Sequence, residues 1–246
     1  MNYRYKNYDN KGGSMEISEI LLRHNKWIRK ERGGKCAKFK DMDLTDKDLS
    51  NLNLIKADFR NTILDGVNFA NTNLDAAKFK NSEMQHTNLR QASLNNADLH
   101  GVNLSYSCLQ HACAHNANLK NADLTMADLG EGHFISANFE SADLSGVNLQ
   151  GASLQSANLQ KATLCGANIT GTLLRGTDFR GADIDFACWP LWCGSAGAIV
   201  DISVLQQLAA HIYVLDCADK RGEIFQALIK EFAKGSHRAH DLGLFF

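Results

Sequence analysis

The chain of 246 residues holds one proline, Pro190. Every residue before it keeps an N–H that can join a hydrogen-bond ladder, and Pro190 cannot. No apolar run reaches the roughly 20 residues that span a bilayer. No signal-peptide pattern precedes the patterned part of the chain. The seven cysteines are odd in number and irregularly spaced, which fits reduced thiols better than a disulfide framework. The expected compartment is therefore the cytoplasm. No nucleophile–base pair, phosphate-cradling loop or paired acid site is evident, so nothing points to an enzyme or to a cofactor. The net charge is only −1, but the segments differ. Residues 1–34 carry 8 basic and 4 acidic side chains, residues 35–190 carry 13 and 17, and residues 191–246 carry 5 and 6.

What is present is a period of five. From Phe39 to Trp189 every fifth residue is large and apolar, through Leu44, Leu49, Leu54, Phe59 and Leu64 onward, with Ala114 the exception. Two places before each of these centres the side chain is usually small, and Ala fills 17 of those 31 positions. A step of five turns about 500° on an α-helix, so the centres would wander around it. On a flat strand an odd period flips every second centre to the other face. All centres point inward only if the chain turns a corner once per unit, which makes a solenoid.

Two places after the centre, Gly recurs (Gly66, Gly101, Gly146, Gly151) and so does Asn (Asn51, Asn61, Asn71, Asn81). Both tolerate the positive φ that some tight turns require. Phe39, Phe59, Phe79, Phe139 and Phe179 differ by multiples of twenty, which predicts four units per coil and a Phe-rich wall. The 31 units then make nearly eight coils, a rod roughly 37 Å long at the usual inter-strand spacing.

Units such as Ala97-Asp98-Leu99-His100-Gly101 and Ala142-Asp143-Leu144-Ser145-Gly146 resemble those of the pentapeptide repeat family, whose pattern is Ala-Asp/Asn-Leu-x-x. The resemblance covers residues 35 to 190. It implies an all-β solenoid, a right-handed quadrilateral parallel β-helix of about eight coils. Met42, Lys47 and Leu52 stand where small residues belong, so the first coils are expected to be irregular. Phe134, one coil beyond Ala114 on the same wall, is expected to fill part of the gap Ala114 leaves.

Residues 1–14 read as a disordered arm. Residues 15–34 hold a capping helix, with Ile17, Ile20, Leu21, His24, Trp27 and Ile28 on one face and Gly33-Gly34 as its stop. Its Arg23, Lys26, Arg29, Lys30 and Arg32 offer an alternative role as a basic docking surface. Pro190 is expected to end the coil. Residues 191–246 then form a helical cap or a homodimer contact, with helices over 203–215 and 223–234. The stretch Trp189-Pro190-Leu191-Trp192-Cys193-Gly194 and the short helix before Gly33-Gly34 resemble flanks of uncharacterised bacterial and phage members of the family.

With four sides, the outward residues can be sorted. The wall of Leu44, Leu64, Met84, Leu104, Leu124, Leu144, Leu164 and Ile184 carries Asp43, Asp46, Asp65, Glu83, Asp123, Asp143, Asp183 and Asp185, and no base. The Phe-rich wall carries Lys38, Lys40, Arg60, Lys78, Lys80, Lys120, Lys161 and Arg180 against Asp41, Asp58, Asp98, Glu140 and Asp178. A column of carboxylates on a stiff rod imitates a line of phosphates. The family resemblance implies the same, since some members are DNA mimics that bind DNA gyrase, although this repeat lacks the loop insertions of the quinolone-protecting type. The favoured expectation is a non-catalytic rod whose acidic wall engages a DNA-handling protein, such as gyrase, another topoisomerase or a phage-defence nuclease. The alternatives are a scaffold that binds protein through its caps, and nucleic-acid binding through the basic N-terminal end. Cys108, His111, Cys113, His115 and His133 are metal-compatible types near one corner, but their spacing fits no zinc pattern, and no metal is expected.

Overall fold

The computed structural model describes residues 17–188, 198–201 and 204. Parallel bridges join each residue just before a centre to the residue twenty later, as in Asp43 to Ile63 to Glu83 and Asp48 to Asn68 to Asn88. One turn of the coil is therefore four units. At every corner from Asp41 to Phe186 the second residue after the centre has positive φ. The centre's carbonyl accepts the N–H three residues on, as Met42 N–H does to Phe39 O at 3.1 Å. Together these make a type II turn. Gly and Asn favour that turn, but Lys56, Ala76, Gln91 and Glu131 adopt it too. The coil imposes the conformation on whatever residue stands there.

The backbone N–H groups of a unit can be followed one by one. The centre donates to the next coil, as Leu44 N–H to Ile63 O at 2.8 Å, and the corner residue does the same, as Asp46 N–H to Asp65 O at 2.9 Å. The residue before the centre donates to the preceding coil, as Ile63 N–H to Met42 O at 3.0 Å. One N–H closes the turn. The fifth, on the residue after the centre, is taken by the Asp or Asn before the centre, as Ser50 N–H is by Asp48 Oδ1 at 3.1 Å. The Asp/Asn position of the repeat thus satisfies the one amide that the ladder leaves over.

Asparagine adds a second bond there. The Asn68 amide donates to Asp48 Oδ1 at 3.1 Å and the Asn88 amide to Asn68 Oδ1 at 3.0 Å. A second chain of this kind runs from Asp128 through Asn148 to Asn168. In both, Asp stands at the end that only accepts, because a carboxylate has no donor.

The interior is apolar and layered. The described centres, from Phe39 to Ile184, are fully buried, and so are the small residues two places before most of them. Phe39, Phe59 and Phe79 stack with centroids 4.8 and 5.0 Å apart, as the twenty-residue spacing predicts. Where Thr replaces Ala it binds a carbonyl, as Thr62 Oγ1 does to Phe39 O at 2.8 Å. Phe134 is buried one rung from Ala114 and edge-on to Phe139, with its ring against Gly132. A Cβ at Gly132 would collide with that ring.

Two expectations about the first coils need correction. The irregularity of Met42, Lys47 and Leu52 is confined to side chains, which are only half-buried. The bridges and corners there are regular, because the outward ladder does not depend on what fills the interior. The helix α1 spans Ile17–Ile28, shorter than the spacing predicts. It ends in a Schellman motif: Lys30, with φ 58°, donates to Trp27 O, and Glu31 donates to Lys26 O at 2.8 Å. Lys30, not Gly33, makes the stop. Ile17, Ile20 and Leu21 join the core cluster, so α1 covers the open end of the rod.

At the other end the ladder of the Phe-rich wall passes Pro190. Asp178 bridges Ile199, 21 residues on, and Phe179 N–H reaches Ile199 O at 2.7 Å. One residue is thus added to the period, where the sequence reading ended the repeat at 190. Asp201 then accepts the Val204 N–H at 3.1 Å in the manner of a helix N-cap. The expected arm over 1–14 and the rest of the expected C-terminal helices lie outside the described residues.

Two predictions concern the capped end. A Cβ at Gly34 would strike the backbone of Trp27, so Gly34→Ala should cost more than about 1 kcal/mol, read as a fall of several degrees in melting temperature. His24 is 1 % exposed, accepts the Ala37 N–H at Nδ1 (3.0 Å), and stacks on Trp27. Its Nε2 is buried with no hydrogen-bond partner among the described residues. Burial pushes its pKa below the ordinary histidine value. The unfolded chain therefore binds the proton first, near pH 6.5, and stability present above that pH falls as the solution is acidified towards the folded pKa. Wild-type melting temperature should drop between about pH 7 and 5. A His24→Gln variant, which can still accept the Ala37 amide, should show a flatter profile over that range.

Candidate functional site

The acidic residues that the sequence places on one wall share it in the structure. Asp43, Glu83, Asp123, Asp143 and Asp183 belong to a single bridged column, interrupted by Ile63, Asn103 and Thr163. Asp65 and Asp185 flank that column one place after the centre, and Asp46 sits on the corner beyond. The eight acids extend over eight rungs, about 34 Å from first to last. That is about one charge per 4 Å of rod, against about 3.4 Å per phosphate along one DNA strand.

Most of these carboxylates also serve the fold. Asp43 accepts the Thr45 N–H at 3.0 Å and its hydroxyl at 2.6 Å, and Asp143 holds Ser145 in the same way. Asp123 and Asp183 each accept the N–H two residues on. Asp65 replaces this arrangement one coil later, where Glu83 stands before the centre: its Oδ1 accepts the Gln85 N–H at 3.0 Å. The Thr45 hydroxyl and amide hold the Asp43 carboxyl below the usual carboxylate range, helped by the charge of Lys47. These bonds fix the carboxylates in place without removing their charge.

Asparagine does the same turn work at Asn53, Asn68, Asn88 and Asn148. Asp is therefore not required by the turn, and its negative charge is surplus to folding.

The Phe-rich wall differs in kind. Arg60 makes a bidentate pair with Asp58, at 2.8 and 2.7 Å, and holds that carboxyl below its ordinary range. Arg180 grips Asp178 likewise, Lys120 meets Glu140 at 2.9 Å, and Lys40 meets Asp41 at 3.2 Å. Four of the five acids on this wall are paired with bases, and the eight bases leave the wall net positive.

One feature of the acidic wall escaped the sequence reading. Along its edge, three successive corners carry His86, Tyr106 and Met126, and the Tyr106 and Met126 side chains stand exposed. The signal was bulk at the place where Gly and Asn recur. The metal-compatible residues do not assemble: among the described residues no three His, Cys, Asp or Glu side chains converge. His111 Nδ1 faces Glu131 at 3.4 Å, and the His115 and His133 rings lie 6.2 Å apart. A wide-open depression around Gly130, lined by Arg90, Gln110, His111, Glu131 and Gln150, lies on the next wall.

A four-sided coil of five-residue units, with each corner in a type II turn, defines a class of solenoid. The chain belongs to the pentapeptide repeat family: the model of pentapeptide repeats, in 8 copies, matches residues 43–81, 82–121, 117–155, 133–171 and 157–188. Among solved structures the chain is similar to full-length QnrB1, a plasmid-mediated fluoroquinolone resistance protein, at 17% identity and a TM-score of 0.49, over 70% of this chain and 98% of that one. It is also similar to Rfr23, a pentapeptide repeat protein from the cyanobacterium Cyanothece 51142, at 22% identity and a TM-score of 0.29, over 70% and 99%. A third is a pentapeptide repeat protein of the Arabidopsis thaliana thylakoid lumen, at 27% identity and a TM-score of 0.30, over 56% and 68%. No curated protein sequence matches the chain.

If charge and turn chemistry are separable, Asp143→Asn should leave the melting temperature nearly unchanged, within about 0.5 kcal/mol. Asp143→Ala should cost about 1 kcal/mol, because it removes the acceptor of the Ser145 amide and hydroxyl. Equal losses in the two variants would show that the charge itself holds the turn.

Proposed function

We propose that the chain is a non-catalytic, cytoplasmic protein-binding rod whose acidic wall imitates a DNA strand. Its partner is the nucleic-acid-binding surface of a DNA-handling protein, such as a topoisomerase of the gyrase type or a phage-defence nuclease. The observation that carries this reading is the line of eight acids with no base on the same wall, at a spacing close to that of phosphates. The carboxylates held by the turn amides are preorganised, so little side-chain entropy is lost when cations approach them. The charge is also surplus to folding, as the Asn-bearing units show, which leaves its position open to selection for binding.

A second reading has one observation in its favour. Lys38, Lys40, Lys78 and Lys80 are exposed on the first and third coils of the Phe-rich wall, with Arg60 on the coil between, close to the end that α1 covers. That end would bind nucleic acid directly, and salt-sensitive binding of duplex DNA by the purified rod would favour it. A scaffold bound through its caps would be indifferent to both surfaces.

The test compares wild type with a variant carrying Asp65→Asn, Glu83→Gln, Asp123→Asn and Asp143→Asn. Each is immobilised, offered a bacterial lysate, and eluted with rising salt. Wild type should retain a DNA-binding enzyme that leaves at moderate salt and is displaced by duplex DNA, and the neutral variant should lose it. Equal capture by the folded neutral variant would end the mimic reading.

A further inference from the structure

The corner column that edges the acidic wall reads Asp46, Gly66, His86, Tyr106, Met126, Gly146, Gly166 and Phe186. All eight residues have positive φ. Elsewhere on the rod this position is mostly Gly, Asn or Ser, which suits an outward corner in a left-handed conformation. Tyr106 and Met126 break that pattern. Their φ values are 60° and 59°, and they are 57 % and 56 % exposed. A side chain in this conformation costs about 1 kcal/mol or more per residue relative to Gly, and burial does not repay it here. Folding gives no reason for a tyrosine and a methionine at these corners.

The three side chains stand at successive corners of one edge. His86 stacks on Tyr106 with ring centroids 5.3 Å apart and planes at 15°. The Met126 thioether lies over Gly146, which has no Cβ to exclude it. The result is an apolar and aromatic ridge three rungs long, about 10 Å from end to end. It stands beside Glu83 and Asp123 of the acidic column, with Asp65 and Asp143 one coil away on either side.

The surroundings select the occupant. A nucleic acid or an anionic membrane is repelled by the carboxylates. A small ligand finds a convex ridge and no cavity. A cationic protein surface is attracted, and Tyr and Met are among the side chains enriched where proteins meet. We propose that the His86–Tyr106–Met126 ridge is the anchor of the acidic wall: Tyr106 and Met126 enter an apolar socket on a basic protein surface, while the acids beside them pair with the Lys and Arg around that socket. This inference rests on the acidic wall being a binding face. It adds what a copy of DNA would lack, a contact that salt does not screen.

The experiment uses two synthetic peptides as probes, one with Lys and Arg spaced by Gly and Ser, the other with Trp and Leu placed among the same bases. Binding to the full chain is followed by fluorescence anisotropy at low and high salt. The wild type should bind the Trp/Leu peptide about tenfold more tightly than the purely basic one. The double variant Tyr106→Asn with Met126→Asn should lose that preference and keep the salt-sensitive binding of both. It should also melt no lower than wild type, since Asn51, Asn71, Asn96 and Asn116 occupy the same corner elsewhere. Should it fold poorly, Tyr106→Gly with Met126→Gly repeats the test with the other residue the corner accepts. No preference in the wild type, or a preference that survives in a folded double variant, would overturn the ridge and leave the acidic wall standing. Binding of neither peptide by the wild type would overturn the wall and the ridge together.

Discussion

The rod depends on a corner that bends once every five residues. The centre's carbonyl accepts the N–H three residues on, and the residue between them takes a positive φ. This turn lets an odd period keep every large side chain inside. It also sets the pitch, because four such corners bring the chain back under itself with a shift of twenty residues. Stacked phenylalanines, buried Ala and Thr, and the parallel ladder all follow from that return. Among the described residues no corner is Pro, Val, Ile or Thr, as expected of a conformation that β-branched side chains resist.

Each unit leaves one backbone N–H that the ladder cannot use. An Asp or Asn one place before the centre takes it in most units, so the polar part of the five-residue pattern is a hydrogen-bonding requirement. It is met equally well by a neutral and a charged residue. Asn extends into side-chain chains along the rod, and Asp ends them or stands alone. The fold thus leaves the choice between amide and carboxylate open, and one wall carries acids and no base while another pairs most of its acids with bases.

That separation links stability to function. The residues that hold the rod together point inward or bind the backbone. The residues that distinguish one wall from another are free to vary in charge and bulk. An acidic line and an apolar ridge can therefore share an edge of the same rod without affecting the coil beneath. The ridge is local and contrary to the turn's preference, and the acidic line is long and compatible with it.

Much of this was legible in the chain itself. The period of five, the twenty-residue spacing of the phenylalanines and the recurrence of Gly and Asn were enough for the coil, its four sides and the sorting of acids onto one wall, because a strict repeat converts sequence position directly into place. Other features needed three dimensions. That Lys30 and not Gly33 ends α1 depends on which residue meets the helix's last free carbonyls. That the ladder resumes at Ile199 after an extra residue could not be read from a broken period. That Asp65 serves the turn of the following coil, and that His86 stacks on Tyr106, are contacts between residues twenty apart. The sequence by itself determined the coil, since its rule is local and repeated. Only the tertiary structure decided which neighbours on adjacent rungs touch, because side-chain reach and exposure depend on the stacking of coils and not on the pattern within one.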